Sequence, residues 1–473
     1  MSLPALPNLF LADLGSGLAL RPETLRDACF ALRQNREHWL AGQRTRPLLE
    51  MVAYTAEQWL QPDYGYRVRA LRDGPAETGF PATTLARGLD AFFRSLSLEN
   101  LEALIVQDLG DSRRLDDFTS TVAEARGGRT SLARGPILLA HIAAGNLPNP
   151  TLFSMVLGIL LKSAQLVKCP SRSSLLPRLF AHSLAHTEPK LGSCLELAYW
   201  PGGDERLNEI LFHEADCVTA TGNDETVADL RRRVPLRTRF IPYGHRLSFA
   251  YVSNELLSTY SIKRVVRDAG ADITAWNQLG CLSPHVFYIQ EDGVVSPEGF
   301  AELLAVELAA REAAEPRGDL SPDESAAIST RRAVYEMRAA VTVGAREPFR
   351  GENPFREAPG QVRLWKSEHS TAWTVVLESN LLLQQSCLNR FIYVKPVRKL
   401  AEALHHLEPY RHQVSTFGLG AVDFRAVELS RELAHWGVPR ICPLGKMQEP
   451  PAPWRHDGRP SLGDLVTWTD FES

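Results

Sequence analysis

Ile137-Leu138-Leu139-Ala140-His141-Ile142-Ala143, followed by Gly145-Asn146-Leu147-Pro148-Asn149-Pro150, is the stretch that decides the fold class. The first seven residues are nearly all apolar, the texture of a strand buried on both faces. The Gly-, Asn- and Pro-rich loop then feeds an apolar helix at Thr151 to Ser163. Further along come a strand at Gln165 to Lys168, a helix from Ser173 to His186 and a strand near Leu195 to Tyr199. A helix near Glu205 to His213, a strand at Asp216 to Thr221 and a helix at Asp224 to Arg232 complete the series. Strands and helices alternating at this spacing predict a parallel sheet wound on both faces, the usual frame of a nucleotide site.

A second α/β stretch spans Leu247 to Asp423, with a strand at His285 to Ile289 and helices at Pro297 to Arg311 and Pro322 to Ala340. Two more strands are read at Thr374 to Leu377 and Phe391 to Val394, and Arg346 to Gly360 reads as a surface loop. Arg21 to Gly110 is helical in pattern, and the Pro-rich tail after Pro443 reads as an extended arm. The expected architecture is α/β, with two doubly wound domains, a helical N-terminal lead-in and a C-terminal arm. The boundaries are 1–125 for the helical region packing on the cofactor domain, 126–246 for the dinucleotide-binding domain, 247–423 for the catalytic domain and 424–473 for the return segment and oligomerisation arm.

A net charge of -4 and the lack of a basic stripe argue against nucleic acid as a partner. The strongest apolar run, Leu152 to Leu161, ends at Lys162 and is too short to span a bilayer. No basic-then-apolar leader pattern follows Met1, and the seven cysteines are scattered without a C-x-x-C pair. The expectation is a cytoplasmic protein without a membrane span.

Two residues carry the chemistry. Cys281, in Trp276-Asn277-Gln278-Leu279-Gly280-Cys281-Leu282-Ser283-Pro284, follows a glycine in a turn that feeds a strand. A thiolate there can attack an acyl carbon and later leave it; a lone cysteine can equally be a small core residue. Asn146 sits in the loop after a predicted strand, where its amide can stabilise an oxyanion, or can cap the helix that follows. His182 and His186 lie one helical turn apart with no third ligand, so no metal is expected. His285 is read as a core or hydrogen-bonding histidine.

Gly145-Asn146-x-Pro148, Lys168-Cys169-Pro170-Ser171, Asp216 through Asn223, and Gly280-Cys281 follow the order of motifs in the aldehyde dehydrogenase superfamily, which this sequence resembles. More narrowly, His141 to Asn146, Gly244-His245-Arg246-Leu247-Ser248-Phe249, Gln278 to Pro284 and Gly437 to Gly445 resemble the fatty acyl-CoA reductase (LuxC-type) family of bacterial luminescence. The resemblance covers roughly residues 130 to 470. It implies an aldehyde-dehydrogenase-like fold, with Cys281 as the acyl-carrying nucleophile and an oxyanion hole made by Asn146 and the Cys281 backbone N–H. It also implies Lys168 on the adenosine ribose, and Thr221, Gly222 and Asn223 beside the pyrophosphate.

Two departures bear on the reaction and the cofactor. Oxidising relatives carry a glutamate that activates hydrolytic water, where this chain has Pro242 in Pro242-Tyr243-Gly244-His245-Arg246. Proline cannot act as a base, so the acyl-enzyme should await reduction rather than hydrolysis; His245 stays open as a base, against a structural role in its turn. NAD-preferring relatives carry a glutamate three residues after the lysine, where this chain has Ser171 and then Arg172. Exchanging a carboxylate for a neighbouring cation suits the 2′-phosphate of NADPH, with NADH as the alternative and an exposed helix-start role open for Arg172.

The expected function is reduction of a long-chain fatty acyl thioester, delivered as acyl-CoA or acyl-protein, to the aldehyde. The implied partners are an acyl-protein synthetase, an acyl transferase and further copies of the chain as a homo-oligomer. The alternatives are reduction of a short-chain acyl-CoA or an acyl phosphate, aldehyde oxidation, and an acyl-holding scaffold without redox activity.

Overall fold

The computed structural model describes residues 6–14, 20–170, 174–344 and 362–472. The chain divides into two compact units. Unit 1 comprises Met1–Thr78, Leu85–His245 and Pro451–Ser473, and unit 2 comprises Gly79–Thr84 and Arg246–Pro450.

Unit 1 opens with helices at Pro22–Asn35, Thr45–Leu60 and Gly65–Thr78. The long apolar period from Leu85 to Leu109 is two helices, ending at Ser95 and resuming at Leu98. Ser97 makes the break, its hydroxyl accepting from Asn100 N at 3.2 Å as an N-cap. Six strands follow: β1 (Arg129–Arg134), β2 (Leu138–Ile142), β3 (Ala164–Lys168), β4 (Leu195–Ala198), β5 (Cys217–Thr221) and β6 (Arg239–Tyr243). The last five form one parallel sheet in the order β4-β3-β2-β5-β6. Leu138, Ala140 and Ile142 of β2 share a core with Leu25, Cys29 and Leu32 of the first helix and Leu207, Leu211 and Phe212 of the helix Glu205–Glu214. That face of β2 is therefore covered by helices, as its apolar run requires. The apolar helix after β2 begins at Asn149, two residues ahead of the sequence reading, because Pro150 is well placed within its first turn.

Unit 2 is built on β7 (Leu247–Val252), β8 (Pro284–Gln290), β9 (Val362–Lys366), β10 (Thr374–Glu378), β11 (Phe391–Val397), β12 (Val414–Gly420) and β13 (Arg440–Pro443). Their order is β13-β12-β7-β8-β11-β10-β9, parallel throughout except for the antiparallel edge strand β9. Alternate side chains of the two central strands go to opposite faces. Leu247, Phe249, Tyr251, Val286 and Tyr288 join a core with Ile328, Tyr335, Leu404 and Leu433. Ala250, Val252, Phe287 and Ile289 join another with Ile262, Val265, Phe300 and Leu304.

The tail, read from sequence as a return segment and oligomerisation arm, pairs with its own chain. Its strand β14 (Thr467–Glu472) pairs antiparallel with β1, from Arg129 opposite Glu472 to Arg134 opposite Thr467. Gln107 Nε2 donates to Pro453 O at 2.7 Å, and Arg239 Nη1 to Val466 O at 2.7 Å. These contacts all lie within unit 1. Among the described residues no helix is long and apolar enough to cross a membrane.

Candidate functional site

In unit 1, strand order reverses at β2: β3 and β4 lie on one side of it, β5 and β6 on the other. The carboxyl ends of β2 and β5 thus mark a topological switch point, the usual ligand position in such sheets. Register places Ile142, Lys168 and Ala220 side by side at that edge. Asn146, exposed, lies in the loop leaving β2; Lys168 ends β3; Thr221 ends β5, and Gly222 and Asn223 follow it. Lys168 and the run Thr221, Gly222 and Asn223 therefore leave the ends of β3 and β5, the two strands that flank β2, and Asn146 follows four residues after β2. Ser171 and Arg172 lie outside the described residues.

The charge at this edge belongs to Lys168. Burial holds its amine below the usual lysine range, and the ammonium lies 5.3 Å from the centre of the Trp200 ring. Trp200 is fixed in turn by donating to Asn208 Oδ1 at 2.9 Å. In the turn after β5, Asn223 Oδ1 accepts from Thr226 N at 2.8 Å and caps the helix Asp224–Arg233. Asp224 and Glu225 occupy that helix's first turn, so its positive end already faces acids. Among the described residues at this edge, the Lys168 amine, the Thr221 hydroxyl and the Asn146 amide are side-chain donors, chemistry that fits ribose hydroxyls and amide oxygens.

The strand before the Asn146 loop is tied across the sheet. His141 is buried, its Nδ1 2.7 Å from Thr219 Oγ1 and its Nε2 3.0 Å from Gln165 Oε1. Gln165 Nε2 donates to Met155 O in the following helix at 3.1 Å. Desolvation pushes the His141 imidazole down to about 4 and keeps it neutral. Nothing in the one-dimensional pattern announced this polar layer inside an apolar strand.

Pro242, at the place of the absent glutamate, lies in β6 at the sheet edge. Its carbonyl accepts from Arg459 Nη2 at 2.8 Å. His245 is exposed and its backbone N–H donates to Asp224 Oδ1 at 2.7 Å.

In unit 2, Cys281 is partly exposed in the turn that enters β8. The five buried cysteines are different: burial raises Cys29, Cys169 and Cys217 to about 12, and Cys194 and Cys442 to about 11. Cys387 is partly exposed as well, and burial raises its thiol.

The chain reaches Cys281 through an unusual backbone. Trp276, Asn277 and Gln278 all have positive φ (50°, 50° and 67°), a conformation costing roughly 1–2 kcal/mol per side-chain-bearing residue. Leu388, Asn389 and Arg390 form a second such run at 60°, 54° and 66°. The two lock together: Asn277 O accepts from Asn389 N at 2.9 Å, and Asn277 Oδ1 from Arg390 Nε at 3.1 Å. Gln278 Nε2 donates to Pro284 O at 2.8 Å and Phe391 O at 3.0 Å. Strained runs persist only where neighbours over-determine them, and they gather at functional sites.

His285 is buried, its Nδ1 accepting from Ser386 N at 3.2 Å. His182 Nε2 pairs with Asp13 Oδ2 at 2.9 Å. Among the described residues no three His, Cys, Asp or Glu side chains gather as a metal site would need.

The fold is that of the aldehyde dehydrogenases. A structure titled as a putative aldehyde dehydrogenase PutA from Anabaena variabilis superposes with a TM-score of 0.64 at 15% identity, covering 96% of this chain and 93% of that one. An NAD-dependent benzaldehyde dehydrogenase from Corynebacterium glutamicum gives 0.66 at 11% identity, covering 96% and 91%. In sequence, a long-chain acyl-protein thioester reductase of Aliivibrio fischeri is 23% identical over 90% of this chain and 82% of its own length. Its counterpart in Vibrio harveyi is 21% identical over the same shares. The family model described as acyl-CoA reductase (LuxC) matches residues 40–468. With a match of that extent over this fold, the chain belongs to the acyl-CoA reductase (LuxC) family.

Proposed function

We propose that this protein reduces a long-chain fatty acyl thioester to the fatty aldehyde with NADPH, through an S-acyl intermediate on Cys281. The observation that carries the assignment is the contrast among the thiols. Five are buried, whereas Cys281 is partly exposed, three residues beyond a backbone run that costs energy to hold.

The Cys281 thiolate attacks the thioester carbon, a carbon–sulfur bond forms to the enzyme, and the donor's thiolate leaves. The Asn146 amide and the Cys281 backbone N–H donate to the oxygen on which charge develops. When bound, the reduced dinucleotide supplies hydride. The acyl carbon is thereby reduced, the resulting alkoxide collapses, and Cys281 departs as thiolate to release the aldehyde. Lys168 takes the adenosine ribose hydroxyls, with Thr221, Gly222 and Asn223 at the adjoining turn; the Asn223 side chain stays with its helix cap. Ser171 and Arg172 set the preference for the 2′-phosphate. With Pro242 where a base would stand, the acyl-enzyme persists long enough to be reduced. The acyl group arrives as a protein thioester or acyl-CoA, made by an acyl-protein synthetase and an acyl transferase, and the enzyme works as a homo-oligomer in the cytoplasm.

Purified protein mixed with labelled tetradecanoyl-CoA should take up one acyl group per chain and release it as aldehyde when NADPH is added. Cys281→Ala should take up none. Full-stoichiometry labelling of that variant, or release of free acid without NADPH, would overturn the reading.

A further inference from the structure

We propose that Ser248 is a positioning residue for acyl transfer, its hydroxyl fixing the Cys281 peptide and hence the direction from which the sulfur meets the acyl carbon. This rests on Cys281 being the nucleophile.

Ser248 lies in β7, between β12 and β8 in the sheet of unit 2, and is fully buried. Its Oγ donates to the carbonyl oxygen of Cys281 at 2.7 Å and accepts from Thr416 N at 3.2 Å. Both neighbouring strands slip register at this residue. On β8 the pairing steps from Pro284 opposite Ser248 to Val286 opposite Phe249, leaving His285 as an extra residue. On β12 it steps from Val414 opposite Leu247 to Thr416 opposite Ser248, leaving Ser415 extra. Bulges of this kind re-aim side chains and cluster beside active sites. Here they leave Thr416 N, a ladder donor, to the serine hydroxyl.

The contact has company on the far side. Gln448 Nε2 donates to Ser283 Oγ at 2.5 Å, two residues beyond Cys281. Arg440, buried in β13, donates to Met447 O at 2.6 Å and reaches Thr416 Oγ1 at 3.5 Å. Burial depresses the Arg440 guanidinium, while Cys442, Asp272 and Cys281 each favour its charged form. The Ser248 bond thus belongs to a polar seam from β13 through β12 and β7 to the nucleophile's own peptide. A hydroxyl can serve both partners at once and an alanine neither.

The test is Ser248→Ala, which removes one oxygen. Single-turnover acylation by tetradecanoyl-CoA should slow roughly ten- to hundredfold, the scale set by small misplacements of a reacting group. The pH midpoint of Cys281 alkylation by iodoacetamide should stay where it is, because the thiol is retained and a small reagent needs no fixed approach. Ser248→Thr, which restores the oxygen, should recover most of the rate. Acylation of Ser248→Ala within about twofold of the parent, or a loss that only tracks the unfolded fraction, overturns the proposal. Cys281→Ala is run alongside. If it still labels fully, the nucleophile reading fails and the role of Ser248 with it. If it is silent while Ser248→Ala is normal, only the Ser248 proposal fails.

Discussion

Asn277 and Arg390 stand in two facing left-handed turns and are joined side chain to side chain, Arg390 Nε donating to Asn277 Oδ1 at 3.1 Å. The same asparagine donates through Nδ2 to Arg317 O at 2.8 Å, and Arg390 Nη1 donates to Glu312 Oε2 at 2.7 Å. Asn277 is 4% exposed and Arg390 0%, so neither can turn to water for a lost partner.

Replacing Asn277 separates the two reasons for its presence. Asn277→Ala loses the side-chain bonds and keeps the left-handed strain, so a loss of at least about 2 kcal/mol is expected. Asn277→Gly loses the same bonds but adopts positive φ freely, so it should be the more stable of the pair. Urea midpoints of the two variants decide it. A glycine variant less stable than the alanine variant would mean the backbone is not strained there.

These turns mark the limit of what the amino-acid pattern reveals. Strands such as β2, β5 and β8 announce themselves because burial on both faces forces a continuous apolar run. Strand β6 does not, since Pro242 argues against a strand interior; it is tolerated because β6 is an edge. Strand β7 is hidden by Ser248, whose hydroxyl finds partners only after Cys281 and Thr416 are brought together. Cys281 and Asn146 stand out as residue types in turns. By contrast, the Arg390 clamp and the His141 layer depend on partners that proximity alone supplies.

A second buried pair predicts a large loss from one substitution. Lys395 and Glu378, with side chains 0% and 1% exposed, lie 3.3 Å apart, and Lys395 Nζ also donates to Leu382 O at 3.0 Å. Tyr335 OH donates to Glu378 at 3.1 Å. Lys395→Met strands part of that acceptor set away from water, and breaking one side of such a pair costs about 3–5 kcal/mol. Calorimetry should show it as a strongly lowered Tm. A variant melting with the parent would show that Arg338, which also contacts Glu378, carries the pair unaided.

Lys168 and Arg172 should part company in cofactor binding. Lys168→Ala is expected to weaken NADPH and NADH alike by roughly ten- to hundredfold, the worth of a hydrogen bond from a charged group. Arg172→Ala should weaken NADPH alone, because a hydroxyl gains little from a cation that a phosphate needs. With Lys168 above the Trp200 ring, nucleotide binding should change Trp200 emission, and Trp200→Phe should remove that part of the signal. Equal losses for both nucleotides in Arg172→Ala would take the 2′-phosphate away from that residue.

Glu196 sets a pH dependence of definite sign. It lies in the edge strand β4, where its Oε1 accepts from Leu11 N at 2.7 Å and Leu197 N at 3.0 Å. Desolvation nevertheless dominates and raises the carboxyl from 4.5 to about 7. The folded chain therefore holds this proton more tightly than the unfolded chain, so the contribution is complete below about 4.5 and is lost as pH rises toward 7. His141 works the other way: with its folded value near 4 against 6.5, it removes stability as pH falls through that interval. Parent curves will blend the two, and Glu196→Gln separates them by keeping the acceptor oxygen while discarding the charge. Relative to that variant, the parent should lose up to about 1.4 kcal/mol per pH unit between roughly pH 4.5 and 7, and be the less stable protein above it. Urea unfolding of both across that range is the measurement. A difference that stays flat, or grows in the parent's favour with rising pH, would place the Glu196 carboxylate in water rather than under the turn at Leu11.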